Sequence, residues 1–320
     1  MAFHDWLKQF QDPSVRDLAW TIGAPPSIIL ANDSRWISPI QYGHWLHQCG
    51  AWLDGLDQNP DALHEVLKQP GQSRLGLYYE RLIGFWLEYG SPYRLVAKNY
   101  QIQHDGRTVG EFDFLVEGEH GLEHWEVAIK YYLGVDESPR WENWLGPNQR
   151  DRLSKKLNHM MGHQATVSQT EAGQAALQAL GCEASPTVKL WFKGHFFAAP
   201  TTHPSQPEGS TAKVGPAWLD ADAAQAYVRA RETSRHWIVR HKPDWLNPVV
   251  QVDDTALTGG TLLDLLSQLE RPMMLSECHR SHHGLALEHT RLCIVPNGWK
   301  NRAQNILAAD SLTDRPKPSG

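Results

Sequence analysis

Two carboxylates in neighbouring strand-forming segments are the residues whose types and spacing could do chemistry. Asp113 lies in GEFDFLV (110–116), and Glu126 lies in HWEVAIKYYL (124–133), which also carries Lys130. Alternate residues of a strand face the same way, so Glu126 and Lys130 share a side. A hairpin of the two segments would bring Asp113 within metal-sharing distance of Glu126. The pattern predicts a pair of acids in a cleft of a sheet.

A buried pair of carboxylates is costly, because burial disfavours the charged form and like charges repel. A hard divalent cation relieves both costs, and Mg²⁺ accepts one or two carboxylates together with water and substrate phosphate. A nearby lysine adds a positive charge that can face a phosphate. We therefore expect Mg²⁺ (or Mn²⁺) as the cofactor. For Asp113 taken alone, an ordinary ion pair with an arginine is the alternative.

The elements that must position these acids follow from hydrophobic periodicity and turn signals. A helix is expected over 74–90, and Glu80 lies beside its apolar face. Three strands follow, over 93–103, 107–117 and 122–133, joined by turns at HDGR and GEHG. In a regular second strand, Asp113 shares its side with Leu115, opposite to Phe112. Next come a helix from Pro147 to about Gln164, a helical stretch over 169–180 and a strand over 187–199.

Flanking segments complete the predicted organisation. The first segment is helical, and its helix over 12–22 has Asp12 as the cap and Pro13 at the first position. Residues 201–215 are predicted to form a surface loop, followed by helices and strands up to about 296. The predicted domains are a helical N-terminal extension (1–70), a core (71–200), an α/β C-terminal extension packed on the core (201–307) and a disordered tail (308–320).

Composition limits the classes of protein. The chain has 320 residues and a net charge of −6, so the whole molecule is not a general electrostatic partner for nucleic acid. No apolar run approaches the ~20 residues needed to cross a bilayer, and the N-terminus has no signal-peptide core. The four cysteines are scattered and are expected to be free thiols. These features predict a globular cytoplasmic protein without a membrane partner.

A basic segment follows the acids. Between 147 and 163 one acid, Asp151, stands against four basic residues: Arg150, Arg152, Lys155 and Lys156. Such a helix beside a metal site could bind a phosphate backbone, to which Asn148 at its N-terminus would add an amide contact. His124, on the same side of the strand as Glu126, and Gln164 are expected to contact the acids from behind. A solvated helix face is the alternative for the basic residues.

The order of these elements resembles the PD-(D/E)XK, or restriction-endonuclease-like, nuclease superfamily over roughly 74–199. The matching pattern is a helix with Glu80, a strand, a strand with Asp113, a strand with Glu126 and Lys130, a helix and a strand. Within that superfamily the sequence looks like the bacterial family called domain of unknown function 1853. This narrower resemblance extends through RDLAW (16–20), GPNQRDRL (146–153) and VPNGW (295–299).

The resemblance implies an α/β fold with an αβββαβ core and a mixed central sheet. It implies that Asp113 and Glu126 are the catalytic metal-binding acids, that Glu80 assists from the first helix, and that the backbone carbonyl of Val127 is a further ligand. The metal would activate water for in-line attack on a phosphodiester bond of DNA or RNA, with a lysine assisting. The implied activity is that of an endonuclease or exonuclease.

One departure from the superfamily pattern leaves a second function open. The motif places its lysine two residues after the second acid, where this sequence has Ala128. Lys130 lies four residues after Glu126, so that their Cα atoms would be ~13 Å apart rather than ~6.6 Å at ~3.3 Å per residue. The alternative is a catalytically inactive nuclease-fold protein that binds nucleic acid or a protein partner.

A third, weaker hypothesis is a zinc-dependent interaction module. The segment ECHRSHHGLALEH (277–289) contains five potential ligands, namely Cys278, His279, His282, His283 and His289. The spacing resembles half of a zinc site, but no second cysteine pair accompanies it.

Overall fold

The computed structural model describes residues 3–70, 74–211, 217–231, 235–250, 255–280 and 286–313. The chain forms two compact units. Unit 1 comprises Met1–Lys130, Lys156–Gly194 and Lys242–Asn247. Unit 2 comprises Tyr131–Lys155, His195–His241 and Pro248–Gly320. Across the described ranges, none of the helices has the length and apolar character that a membrane span needs.

The structure is mixed α/β. The helices of the described ranges are α1 Phe3–Leu7, α2 Pro13–Gly23, α3 Pro39–Gln58, α4 Asp61–Leu67, α5 Leu75–Tyr89, α6 Leu153–Gly162, α7 Glu171–Ala179, α8 Ala221–Arg229, α9 Gly259–Ser267 and α10 Trp299–Thr313. The strands are β1 Arg94–His104, β2 Arg107–Gly118, β3 Gly121–Gly134, β4 Trp144–Leu145, β5 Thr187–Phe197, β6 Leu219–Asp220, β7 His236–Arg240, β8 Met273–Arg280 and β9 Ala286–Val295.

Local sequence accounts for the start of α2. The carboxylate of Asp12 accepts hydrogen bonds from the backbone N–H groups of Ser14 and Val15, and Pro13 occupies the first turn. These contacts satisfy N–H groups that have no partner within the helix. The predicted cap and helix are confirmed.

The sheet of unit 1 is built on two hairpins. β1 and β2 are antiparallel and are joined at Asp105 and Gly106, both of which have positive φ (49° and 73°). An Asp-Gly pair suits this turn because both central residues must adopt a left-handed conformation. β2 and β3 are also antiparallel, with pairs that run from Phe114↔Trp125 to Gly118↔Gly121. β5 pairs with β3, and the boundaries of unit 1 fall inside these two strands.

Two hydrophobic clusters hold this sheet in unit 1. In the first, the rings of Trp45, Trp86, Trp125 and Trp191 pack at centroid distances of 5.1 to 6.1 Å, joining α3 and α5 to β3 and β5. The second joins α7 and the 3₁₀ segment Gln164–Gln169 to β1 and β2. Its buried members are Ile102, Phe112, Leu115, Val167, Ala176 and Leu177. The strands that carry the acids are therefore packed by large side chains.

Unit 2 contains a second sheet, with the order β6-β9-β8-β7. β7, β8 and β9 are antiparallel, whereas the short β6 runs parallel to β9. Helices α8 and α9 cover this sheet with Ala224, Val228, Leu262 and Leu266, which pack against Leu275 and Leu292. A separate buried network joins Glu288 to Arg240 and Arg291.

Helix α6 begins later than predicted. It starts at Leu153 instead of Pro147, because the preceding residues form a turn. The N–H of Gln149 bonds the carbonyl of Gly146 at 2.7 Å, and Gln149 has a φ of +61°. A left-handed residue cannot lie inside an α-helix, so the helix begins beyond it.

Two further segments differ from the expectations or lie outside what is described. Helix α10 extends to Thr313, so residues 308–313 of the predicted disordered tail are helical. Residues 314–320 lie outside the described ranges, as do 212–215 of the predicted loop. His282 and His283 of the zinc hypothesis also lie outside them.

A glycine in β5 gives a test of the packing in unit 1. Gly194 has a φ of +142°, and a Cβ there would overlap the backbone carbonyl of Lys130. We expect Gly194→Ala to lower the free energy of unfolding by about 3 kcal/mol or more, measured by urea unfolding with tryptophan fluorescence. The matched control is Gly181→Ala, which has a φ of +73° but open space around the new methyl group. Its cost should be about 1 kcal/mol. Equal losses would contradict this account.

Candidate functional site

The structure brings Asp113 to the strand that carries Glu126. Beyond the pair Phe114↔Trp125, a side chain rather than the backbone of β2 makes the next contact: Asp113 Oδ2 accepts the N–H of Val127 at 3.0 Å. The two acids thus approach each other where the regular pairing of β2 with β3 ends. The sequence-based expectation of neighbouring acids agrees with this geometry.

An irregularity in β1 accompanies this opening. Asn99 has a φ of +49°, and it lies between the register pairs Lys98↔Phe114 and Tyr100↔Phe112. The register of β1 with β2 shifts between Leu95 and Ala97, which pair with Val116 and Leu115, and Phe112 and Leu115 pack in the same hydrophobic cluster. The simple alternation that put Leu115 opposite to Phe112 is wrong here, because it assumed a regular strand through Asp113.

Glu126 is fully buried and both of its oxygens have partners. Its Oε1 lies 2.7 Å from Nε2 of His124, and its Oε2 accepts a hydrogen bond of 2.6 Å from Nε2 of Gln164. Burial lowers the pKa of His124 to about 4, so the imidazole is neutral near pH 7, and its Nε2 shares a hydrogen bond with Oε1 of Glu126. The expected contacts of His124 and Gln164 with the acids are present.

The three acids resist ionisation. Burial raises the pKa of Glu126 to about 8 and, together with the charge of Glu126, raises that of Asp113 to about 7. Burial also raises the pKa of Glu80 to about 7, with added repulsion from Asp113 and Glu111. Glu80 on α5 is therefore close enough to sense the charge of Asp113. Perturbed, mutually coupled acids of this kind cluster at functional sites.

Lys156 is the cation that acts on all of these acids. Its positive charge opposes the rise in the pKa of Glu80, Asp113 and Glu126. Its Nζ donates to Oε1 of Gln164 at 3.1 Å. Sequence reasoning gave Lys156 a role on a phosphate-binding helix and did not anticipate its approach to the acids, because no local signal reports that contact.

Lys130 lies four residues beyond Glu126 on β3 and is half-buried. Its charge acts on Lys242, whose pKa is lowered by burial and then by Lys130. The catalytic assignment of Lys130 stays a prediction, as does that of the Val127 carbonyl as a metal ligand.

The donor set suits a hard cation, with limits. Asp113 and Glu126 supply carboxyl oxygens; burial raises the pKa of both, and a bound divalent cation would favour their ionised forms. In the ranges that the structure describes, however, no three His, Cys, Asp or Glu side chains are arranged to hold a metal ion. A cation would thus be held first by the Asp113–Glu126 pair, with water and phosphate as further ligands. Metal binding by Glu80 stays a prediction.

The other predicted nucleic-acid contacts lie in unit 2. Asn148 and Arg150 are exposed in the turn before α6, and Lys155 is exposed on α6. Arg152 forms an ion pair with Asp310 of α10. Since α6 begins at Leu153, the expected helix N-terminus at Asn148 and the expected helical alignment of Arg152 with Lys156 are wrong.

Comparison with known proteins identifies the family of the chain. A family model described as Domain of unknown function (DUF1853) matches residues 16–295. The chain belongs to this family. The matched range includes Glu80, Asp113 and Glu126. No curated protein matches the chain, and no solved structure matches it.

The buried acids predict how the stability of this DUF1853 protein depends on pH. Because the pKa of Asp113 is raised to about 7 from an unfolded value of about 3.9, the folded state binds more protons between these values. The free energy of unfolding should then fall as the pH rises from about 4 to about 7. Asp113→Asn removes this term, so in EDTA the variant should gain on the order of 2 kcal/mol over the wild type between pH 5 and pH 8.

The matched control is Glu119→Gln, which removes a carboxylate from an exposed turn between β2 and β3. The free energy of unfolding is measured by urea unfolding across this pH range. If it changes with pH equally in the wild type and in Asp113→Asn, the folded structure does not raise the pKa of Asp113.

Proposed function

We propose that this DUF1853 protein is a metal-dependent nuclease of the PD-(D/E)XK type that hydrolyses phosphodiester bonds of DNA or RNA. One observation carries the proposal: the fully buried Glu126 and the half-buried Asp113 lie close together on adjacent strands, and burial raises the pKa of each far above its usual range. Burying such a pair lowers the stability of the fold. A divalent cation that binds between the two acids would offset this loss and could take part in a reaction.

The order of elements supports the same reading. Helix α5, strands β1, β2 and β3, helix α6 and strand β5 follow one another in the αβββαβ order that the resemblance implies, with α7 and the short β4 as additions. The acids lie at corresponding points of this order: Glu80 on α5, Asp113 on β2 and Glu126 on β3.

The residues of the chain have distinct tasks in this proposal. Asp113 and Glu126 would hold Mg²⁺ (or Mn²⁺), which when bound supplies a water of lowered pKa and stabilises charge on the phosphate. The N–H of Val127 fixes Asp113, while His124 and Gln164 fix the two oxygens of Glu126. Such supporting hydrogen bonds orient a ligand and preserve its geometry. Glu80 adds negative charge beside Asp113.

A second candidate function is that of a nuclease-fold protein without turnover, which binds nucleic acid or a protein partner. The observation that favours it is Ala128, a buried residue at the position where the superfamily motif has its lysine. Fold alone does not decide between the two, because one fold hosts enzymes and binders alike.

Cleavage assays with a matched variant test the enzyme proposal. Single-stranded, duplex and branched oligonucleotides of DNA and RNA are incubated with Mg²⁺ or Mn²⁺ and either wild type or Asp113→Asn. We expect the variant to lose about 10²-fold or more of the cleavage rate, because it lacks one of the two carboxylates. Glu119→Gln should cleave like the wild type.

Calorimetric titration with Mn²⁺ accompanies these assays, and Asp113→Asn should bind it at least about tenfold more weakly. If wild type and Asp113→Asn leave every substrate equally intact, the hydrolase proposal is lost. Oligonucleotide binding that survives in both would then favour the second candidate.

The predicted basic contacts have a separate test. Lys155→Gln removes one exposed charge from α6, and we expect the affinity for an oligonucleotide to fall similarly for all sequences. The slope of log affinity against log salt should decrease by about 1 if Lys155 contacts a phosphate. Lys68→Gln, which removes an exposed charge at the end of α4, is the control for net charge. If both variants have the same salt slope, Lys155 does not contact a phosphate and is an ordinary solvated residue.

A further inference from the structure

One amide connects the basic helix to the buried acid. Gln164 uses both ends of its side chain: Oε1 accepts from Nζ of Lys156 at 3.1 Å, and Nε2 donates to Oε2 of Glu126 at 2.6 Å. An ammonium group only donates, so the amide oxygen must face Lys156 and the amide N–H group faces Glu126. Neither a carboxylate nor an apolar side chain of similar size could make both contacts.

The backbone around Gln164 is held in place from several directions within unit 1. Arg35 donates to the carbonyl of Met161 at 2.9 Å, near the end of α6. Gln164 then opens a 3₁₀ segment whose Val167 is buried in the hydrophobic cluster with Phe112 and Leu115. Thr170 ends that segment and caps α7 by accepting the N–H of Gly173. The amide is thus presented by a packed element, as a positioning residue must be.

The location of Lys156 matches the needs of phosphate chemistry. Only the amide of Gln164, at 3.1 Å from Nζ of Lys156 and 2.6 Å from Oε2 of Glu126, stands between the ammonium group and the acid in this chain of contacts. Lys156 is half-buried, which strengthens its electrostatic interactions relative to those of an exposed lysine. A phosphate bound through a cation at Asp113 and Glu126 would be attracted by this ammonium group.

We propose that Lys156 supplies the positive charge that contacts the substrate phosphate at this site, and that Gln164 positions it by bridging it to Glu126. This inference rests on the proposed function, because it assigns residues to the same reaction. It gives to a helix the part that the superfamily motif gives to a lysine on the strand after the second acid. Lys130 is then not required for cleavage.

Three single variants separate these roles. Lys156→Gln should lower kcat about 10²-fold, because a charge that stabilises the transition state is removed. Lys156→Arg should recover part of that loss, since it restores the charge on a longer side chain. Lys130→Gln tests the alternative that the strand lysine has this role, and we expect it to lose less of kcat than Lys156→Gln. A large loss in Lys130→Gln with normal activity in Lys156→Gln would overturn the proposal.

A double-mutant cycle tests the bridge. Gln164→Met keeps the size of the side chain but removes both hydrogen bonds, and kcat should fall about tenfold with little change in KM. Combining it with Lys156→Gln should cost less than the product of the two single losses, because part of the effect of Gln164 passes through Lys156 and part through Glu126. Fully additive losses would show that Gln164 does not position Lys156.

Affinity for Mn²⁺ distinguishes a positioned charge from a structural residue. Removing the ammonium group relieves repulsion of the cation, so Lys156→Gln should bind Mn²⁺ as tightly as the wild type or more tightly. Weaker Mn²⁺ binding, together with a lower free energy of unfolding, would assign Lys156 a structural role and refute the inference.

Binding of a fluorescein-labelled oligonucleotide in Ca²⁺, followed by anisotropy, separates failure of this inference from failure of the proposed function. If the wild type cleaves no substrate but Lys156→Gln lowers the affinity about tenfold, hydrolysis is refuted and the phosphate contact stands. If the affinity is unchanged in Lys156→Gln, the phosphate contact is refuted whether or not the wild type cleaves.

Discussion

The buried pair of carboxylates on β2 and β3 is the constraint on which the rest of the site depends. Neutral groups contact it: the N–H of Val127 donates to Asp113, and the side chains of His124 and Gln164 hydrogen-bond Glu126. Hydrogen bonds from neutral groups offset part of the loss of water, yet the pKa of each acid stays raised. Lys156 contributes positive charge that lowers the pKa of both acids, but less than burial raises it.

The packing of the surrounding fold holds the two acids in this arrangement. A cluster of tryptophans on one side and an aliphatic and aromatic cluster on the other fix the strands, so the acids cannot separate to reduce their repulsion. The sheet also opens at the required point. Regular pairing of β2 with β3 ends at Phe114↔Trp125, which frees the N–H of Val127 for the carboxylate of Asp113. The irregular Asn99 on the neighbouring strand accompanies this opening.

The sequence predicted what depends on local patterns. Periodicity located α5 and the first three strands, and Asp12 with Pro13 located the start of α2. It failed where geometry departs from a regular element. The left-handed Gln149 delays α6, and the irregularity opposite Asp113 breaks the alternation of faces. The contact of Lys156 with Gln164 is set by the exit of α6 into a 3₁₀ turn, and neither residue type announces it.

The missing lysine at position 128 therefore carries less weight than a motif comparison suggests. A motif records where a residue stands in the chain, whereas phosphate chemistry requires a positive charge at a place in space. A strand can supply that charge two residues from an acid, and a helix can supply it from across a cleft if something holds the side chain. Gln164 provides such a hold in this chain, because its single amide contacts both Lys156 and Glu126. Under the proposed function, Ala128 alone is thus no reason to conclude that the acid pair has lost catalytic activity.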